Sequence, residues 1–282
     1  MPDKPLFAAD YTPGMTEVAT ATLLYIATTL GDLMDQIVLV GGLVPTLIVP
    51  DRPHVEAHVG TTDVDLGLSI ALLDMEQYRE VSRRLRRAGF EPDASDQGNP
   101  TRQRWVCQME GMSPGLVDFL IQPSGPDSIP GRLQNLENDF AAIITKGLHL
   151  AFQDYLSVRV AAKTVKGETA EREIRVCGPG AFIVLKALSV RGRNEPKDSY
   201  DLHHVVRYYG ESVDDVVQHL LPLLDAPVAQ ETLGFLAEDF REQTSIGPSR
   251  AAAFLGRSED VDFKADVAGD IRELLQKCGF ET

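Results

Sequence analysis

In the stretch GTTDVDLGLSI, residues 60–70, Asp63 and Asp65 stand two apart at the head of a run whose apolar residues alternate. A strand sends successive side chains to opposite faces, so Val64, Leu66, Leu68 and Ile70 share one face. Asp63, Asp65, Gly67 and Ser69 share the other. Two like charges held this close repel, and the arrangement calls for a positive group between them. Asp118, inside the apolar run LVDFLI, adds a third carboxylate. A charge there is costly unless it is paired or bound to a cation. Carboxylate oxygens are the hard ligands that Mg²⁺ takes, with substrate phosphates completing its octahedron. Three such groups could hold two ions that activate a hydroxyl and steady a leaving pyrophosphate. Standing alone, Asp118 would read as a strand-edge aspartate bonded to backbone or arginine.

Further residues could serve the same chemistry. VLVGG sets Gly41 and Gly42 after a short apolar strand. Glycines there let backbone approach a phosphate, and the helix that follows offers N–H groups to an anion. A bare Gly-Gly is also the signature of a tight turn. Lys186 lies amid Phe182, Ile183, Val184, Leu185, Ala187 and Leu188. A lysine in such a helical run either snorkels or serves a function. Asp198 and Asp201 are i, i+3 neighbours on one helix face, and Asp198 also suits a helix N-terminus. His54 and His58 are four apart, but Pro53 argues against a helix that would align them as ligands. His203 and His204 follow Asp201 and read as structural.

The elements that must position these groups follow from periodicity. Thr16–Met34 reads as an amphipathic helix, Gln36–Val40 as a strand, LVPTLIVP as a short helix, and DVDLGLSI as the next strand. DMEQYREVSRRLRRAG is a helix closed by Gly89, and PDASDQGNPT a turn-rich loop. RQRWVCQM and GLVDFLIQ follow as strands paired through EGMSPG. After PSGPDSIPG comes a mixed region with no assigned element, then YLSVRVAAKTVKG and EREIRVCG as a further strand pair. From Pro179 the pattern is helical to the end, so the expected boundary is near residue 178.

Composition bounds the function class. The 282 residues carry a formal net charge of −15, which argues against a surface coated for nucleic acid, although a local patch could serve. Arg79, Arg83, Arg84, Arg86 and Arg87 form the densest patch, read first as a solvated helix face and second as a dock for a polyanion. Lys163, Lys166, Arg172 and Arg175 form another. No run of eighteen apolar residues predicts a membrane span. The opening MPDKPLFAADYTPGM lacks the pattern of a signal peptide. Cys107, Cys177 and Cys278 give neither a disulfide framework nor metal-ligand spacing, so a reducing cytoplasm is the expected setting.

Strand, Gly-Gly, helix, Asp-x-Asp on the next strand and a later lone carboxylate together resemble the nucleotidyltransferase superfamily related to DNA polymerase β. VCGPGAFIVLKALSVRGRNEPKDSYDLHHV resembles the Lys…Arg…(Arg/Lys)-Asp-x-x-Asp-Leu segment of the AbiEii/MenT toxin branch. The resemblance covers residues 36–206. It implies an α+β fold, a nucleotidyltransferase-like mixed sheet with flanking helices over 1–178, followed by a helical lobe over 179–282. It implies a Mg²⁺-dependent enzyme, using two ions brought with the NTP, that moves an NMP to an acceptor hydroxyl. Asp63, Asp65 and Asp118 would be the metal ligands and, with Lys186 and Asp201 across a cleft, the catalytic set. Gly41, Gly42, Thr62, Lys186 and Arg193 would bind the nucleotide, with Asp198 holding Arg193 or the helix start.

The same likeness implies tRNA as acceptor and a cognate antitoxin as partner. A small-molecule or protein acceptor is the alternative, and a non-catalytic nucleotide-binding module the rival of a different class. The chain departs from the branch at Gly42, where a serine is usual, and in the length of the segment between Gly42 and Asp63; Thr46, Thr61 or Thr62 could supply the missing hydroxyl.

Overall fold

The computed structural model describes residues 5–69, 75–94, 100–108, 113–138 and 140–280. Ile70 and half of the EGMSPG loop, residues 110–112, lie outside them. The chain divides into two units. One comprises Pro13–Val44 and Gly60–Cys177. The other comprises Pro45–Val59, Gly178–Thr282 and a short segment before Pro13. The last change between the units falls at Gly178. The stretch after the double glycine, Pro45–Val59, belongs to the helical unit and not to residues 1–178 as expected.

The first unit is a mixed sheet with helices. Helix α1 (Pro13–Leu30) leads through a 3-10 turn into β1 (Ile37–Val40), a fully buried apolar run. After helix α2 (Val44–Ile48), which from Pro45 on is counted with the second unit, come β2 (Asp63–Leu68), α3 (Met75–Arg87), β3 (Phe90–Ala94), β4 (Pro100–Cys107) and β5 (Gly115–Ile121). Strands β6 (Leu133–Glu137) and β7 (Phe140–Ile144) form a hairpin, as do β8 (Tyr155–Lys163) and β9 (Thr169–Cys177). Among the described residues the strand order is β3-β4-β5-β2-β1-β9-β8, with β7 joining beside β5.

Strand β2 is central because Val64, Leu66 and Leu68 are each 0% exposed, and it pairs antiparallel with β1 and parallel with β5. The predicted β4–β5 and β8–β9 pairs are both present and antiparallel.

Three strands differ from the sequence expectation. β3 runs into the stretch read as a turn-rich loop, and its register with β4 shifts between Pro92 and Ala94. Pro92 removes a donor and is tolerated because β3 is an edge strand. In β6 only Leu136 is buried, so the alternation that marks a half-buried strand is nearly absent. β7, FAAII, is a short apolar run whose type periodicity alone leaves open.

The second unit is helical: α4 (Pro179–Gly192), α5 (Pro196–Tyr208), α6 (Val213–Leu220), α7 (Pro227–Asp239), α8 (Ile246–Phe254) and α9 (Val261–Lys277). Pro179 and Pro196 sit in first turns, where a missing N–H costs nothing. Helix α4 packs on α5, α6 and α7, and is apolar nearly all round in consequence. No described helix is long and apolar enough to cross a membrane.

Candidate functional site

Strand register brings the three carboxylates of the first unit together. Asp65 lies level with Asp118 across the parallel β2–β5 pair, and Asp118 lies level with Arg104 across β5–β4. Residues level on neighbouring strands share a face, so Arg104, Asp118 and Asp65 form a row. Asp63 stands one pleat along from Asp65 on the same face.

The positive group against these carboxylates is the guanidinium of Arg104. Its Nε donates to Asp118 Oδ1 at 2.8 Å, and its Nη2 donates to Asp118 Oδ2 and to Asp63 Oδ2, the latter at 3.4 Å. The hydrogen bonds to Asp118 raise the guanidinium pKa, with burial opposing them. Buried Thr61 donates from Oγ1 to Asp63 Oδ1 at 3.0 Å, and its own N–H donates to Thr16 Oγ1 on α1. Strand β2 is thereby tied to α1 at the point where its carboxylates begin.

Gly41, just after β1, has φ +75°, and a Cβ built on it would stand 1.8 Å from Asp65 Oδ2. The turn presses its backbone onto the carboxylate, so a side chain is excluded twice over. Gly42 is buried in the same turn, and Thr62 is half-buried immediately before β2.

Three carboxylates against one guanidinium leave two negative charges, and the donors are hard oxygens. That set fits Mg²⁺. Among the described residues no three His, Cys, Asp or Glu side chains converge closely enough to form a ready-made metal site.

In the second unit Lys186, Arg193, Asp198 and Asp201 also converge. Lys186 Nζ donates to Asp198 Oδ1 at 2.8 Å and to Asp201 Oδ2 at 2.7 Å. Arg193, at the end of α4, grips Asp198 with Nε and Nη2 at 2.7 and 2.8 Å. Lys197 donates to Asp201 Oδ1 at 2.7 Å. Burial pushes the Asp201 carboxyl up, but Lys186, Lys197 and His58 outweigh it and hold it well below the usual range. Burial lowers the Lys186 pKa, and Asp198 with Asp201 more than offsets that.

His58 completes the cluster. Its Nε2 lies 2.9 Å from Asp201 Oδ1 and its Nδ1 3.2 Å from Thr46 Oγ1. An ionised Asp201 can only accept, so Nε2 carries the proton and Nδ1 accepts from Thr46. Burial holds its pKa down at about 4. His54 has φ 80° and is not aligned with His58 as a ligand pair on a helix. His203 bonds Asp270 at 2.9 Å, and His204 lies edge-on to His58.

Sequence reasoning passed over Arg104, Lys197 and the role of His58. The signal for Arg104 was present: Trp105 and Cys107 must face one way, so Arg104 faces the other, and the β4–β5 hairpin turns that face to Asp118. Most of the α3 arginines are engaged locally. Arg79 pairs with Glu137, Arg83 and Arg84 with Glu80, Arg84 also with Asp32, and Arg86 stacks over Trp105. Arg79, Arg83 and Arg84 thus each face an acid, on α3 itself or on a neighbouring segment.

No family model matches the chain, and no curated protein matches it in sequence. Among solved structures it is similar to an antigenic nucleotidyltransferase-like protein from Paracoccidioides brasiliensis, at 15% identity and TM-score 0.38, over 79% of this chain and 94% of that one. It is also similar to MenT4, a nucleotidyltransferase toxin from Mycobacterium tuberculosis H37Rv, at 19% identity and TM-score 0.37, over 95% and 97%. Superposition this loose carries no functional information; the chain's own side chains do.

Proposed function

We propose that this chain is a nucleotidyltransferase that moves an NMP from an NTP to an acceptor hydroxyl and releases pyrophosphate. The observation that carries the reading is the level placement of Asp65 and Asp118 on adjacent parallel strands, with Asp63 on the same face. The Gly41 backbone pressed against Asp65 supports it, since it leaves a bare chain beside the carboxylates where phosphate could approach. Asp63, Asp65 and Asp118 would hold Mg²⁺, which would neutralise the triphosphate and steady the leaving pyrophosphate.

In the reaction the acceptor oxygen forms a bond to the α-phosphorus, the α–β bridging P–O bond breaks, and pyrophosphate leaves with the electron pair. The acceptor proton passes to a carboxylate of the row. Catalysis here is chiefly alignment and charge neutralisation. Gly41, Gly42 and Thr62 are the proposed nucleotide contacts in the first unit, and Lys186 and Arg193 in the second. Asp201 is buried beneath Lys186, Lys197 and His58, so its proposed part is to position Lys186.

The proposed acceptor is the 3′ end of tRNA, with a toxin role and a cognate antitoxin; this rests on the resemblance of the Lys186–Asp201 segment to the AbiEii/MenT branch. One observation favours a small-molecule or protein acceptor instead: Arg79, Arg83 and Arg84 of α3 pair with neighbouring acids, and the chain carries −15 overall.

The test is incubation of the purified chain with each α-³²P-labelled NTP, Mg²⁺ and total tRNA, beside Asp63→Ala. Label on tRNA with the wild type alone supports the first acceptor. Transfer only to supplied small molecules or proteins moves the reading to the second. No transfer together with no Mg²⁺-dependent NTP binding overturns the enzyme reading.

A further inference from the structure

Arg104 occupies the place that the carboxylate spacing reserves for a cation. Both oxygens of Asp118 receive its N–H groups, and its Nη2 reaches on to Asp63. The side chain is 28% exposed and comes from the neighbouring strand, while the backbone of β4 is held in register with β5. A divalent cation and this guanidinium would compete for the same oxygens and repel each other across a few ångströms. An arginine fork pairs with phosphate as well as it does with carboxylate, in the same bidentate geometry.

We propose that Arg104 is a charge placeholder that exchanges partners: it leaves Asp63 and Asp118 when a divalent cation and nucleotide arrive together, and pairs with phosphate oxygens of that nucleotide. This rests on the reading of the carboxylates as a metal-binding set. Without nucleotide the guanidinium keeps three mutually repelling carboxylates at rest and keeps stray cations out. With nucleotide, a partner for Arg104 enters with the ion that displaces it. Cation and nucleotide are thereby coupled through one side chain, each easing entry of the other.

The test uses the full chain and Mn²⁺, followed by electron paramagnetic resonance, with and without a non-hydrolysable NTP analogue. Arg104→Gln removes the placeholder. Its Mn²⁺ affinity without nucleotide is expected to rise at least tenfold over wild type, while its affinity for the analogue in saturating Mn²⁺ falls at least tenfold. Arg104→Lys restores a point charge without the fork, and is expected to bind Mn²⁺ alone as weakly as wild type. Unchanged Mn²⁺ affinity in Arg104→Gln, or unchanged analogue affinity, overturns the proposal.

Should Arg104→Gln fail to fold, the wild-type chain carries the test. The Arg104 Nε–H resonance, assigned by its loss in Arg104→Lys, is expected to move when Mg²⁺ and analogue are added together; a resonance that stays in place overturns the proposal. These readouts are independent of turnover. A chain that shows the exchange but transfers nothing would fail the transferase reading and keep the assignment of Arg104.

Discussion

The backbone of Gly41 and the carboxylate of Asp65 are packed against each other, with the space of a Cβ on residue 41 taken by Asp65 Oδ2 at 1.8 Å. Alanine at this position meets a left-handed φ and a carboxylate at once. Gly41→Ala is expected to cost about 1–3 kcal/mol of stability and to push Asp65 out of line with Asp118. Urea unfolding and the NMP-transfer rate check both effects. A variant as stable and as active as wild type would show that the turn does not set the Asp65 position.

Asp65→Asn separates chemistry from folding. It deletes a negative charge from a row of three carboxylates facing a single guanidinium, so thermal stability is expected to hold or rise. Transfer is expected to fall at least about 100-fold, more than the usual loss for a group one step removed from a metal. A melting curve and an initial-rate assay on one preparation suffice. Retained activity would remove Asp65 from the proposed ligand set.

Lys186→Met leaves Asp198 and Asp201 without the ammonium between them. Breaking a buried ion pair from one side costs about 3–5 kcal/mol, softened here because Arg193 still holds Asp198 and Lys197 still holds Asp201. The double variant Lys186→Met/Asp201→Asn is expected to recover part of the loss. If the single variant unfolds at the wild-type urea midpoint, the cluster is not a structural keystone.

The His58 imidazole gives the second unit an acid limit. Its pKa is held down at about 4 in the folded chain, against about 6.5 when exposed. Between these values the unfolded chain binds the extra proton and the folded chain does not. The stabilisation is therefore fully present above about pH 6.5 and is lost as pH falls through 4, on the order of 3 kcal/mol for this one group. His204, held down at about 3 chiefly by burial, acts in the same direction. Denaturation midpoints from pH 7 to 4 should fall in the wild type and fall less steeply in His58→Gln, which can keep both hydrogen bonds without titrating; the slope that remains is that of His204. Parallel slopes in the two proteins would remove His58 as the cause.

Much of this was legible in the order of residues. The alternation of β2 put Asp63 and Asp65 on one face, and i, i+3 spacing put Asp198 and Asp201 on one side of a helix. Lys197, one turn before Asp201, was legible from the same spacing and was passed over; Arg104 and His58 stayed hidden because they have partners distant in the chain. Arg104 lies 41 residues from Asp63, and His58 lies 143 from Asp201. Local periodicity says which way such a residue faces but not what it meets there. The segment Pro45–Val59 was assigned to the wrong unit for the same reason: adjacency along the chain favoured the sheet, while its packing partners lie after Gly178.

By itself the sequence determined the oxygen-rich face of one strand, the lone carboxylate of another and the lysine buried in an apolar helix, because strand and helix periods are properties of the backbone alone. Tertiary structure decided which cation stands among those oxygens. Register between β4, β5 and β2 aligns Arg104, Asp118 and Asp65 to within one pleat, and a slip of one residue would have turned the guanidinium to the opposite face.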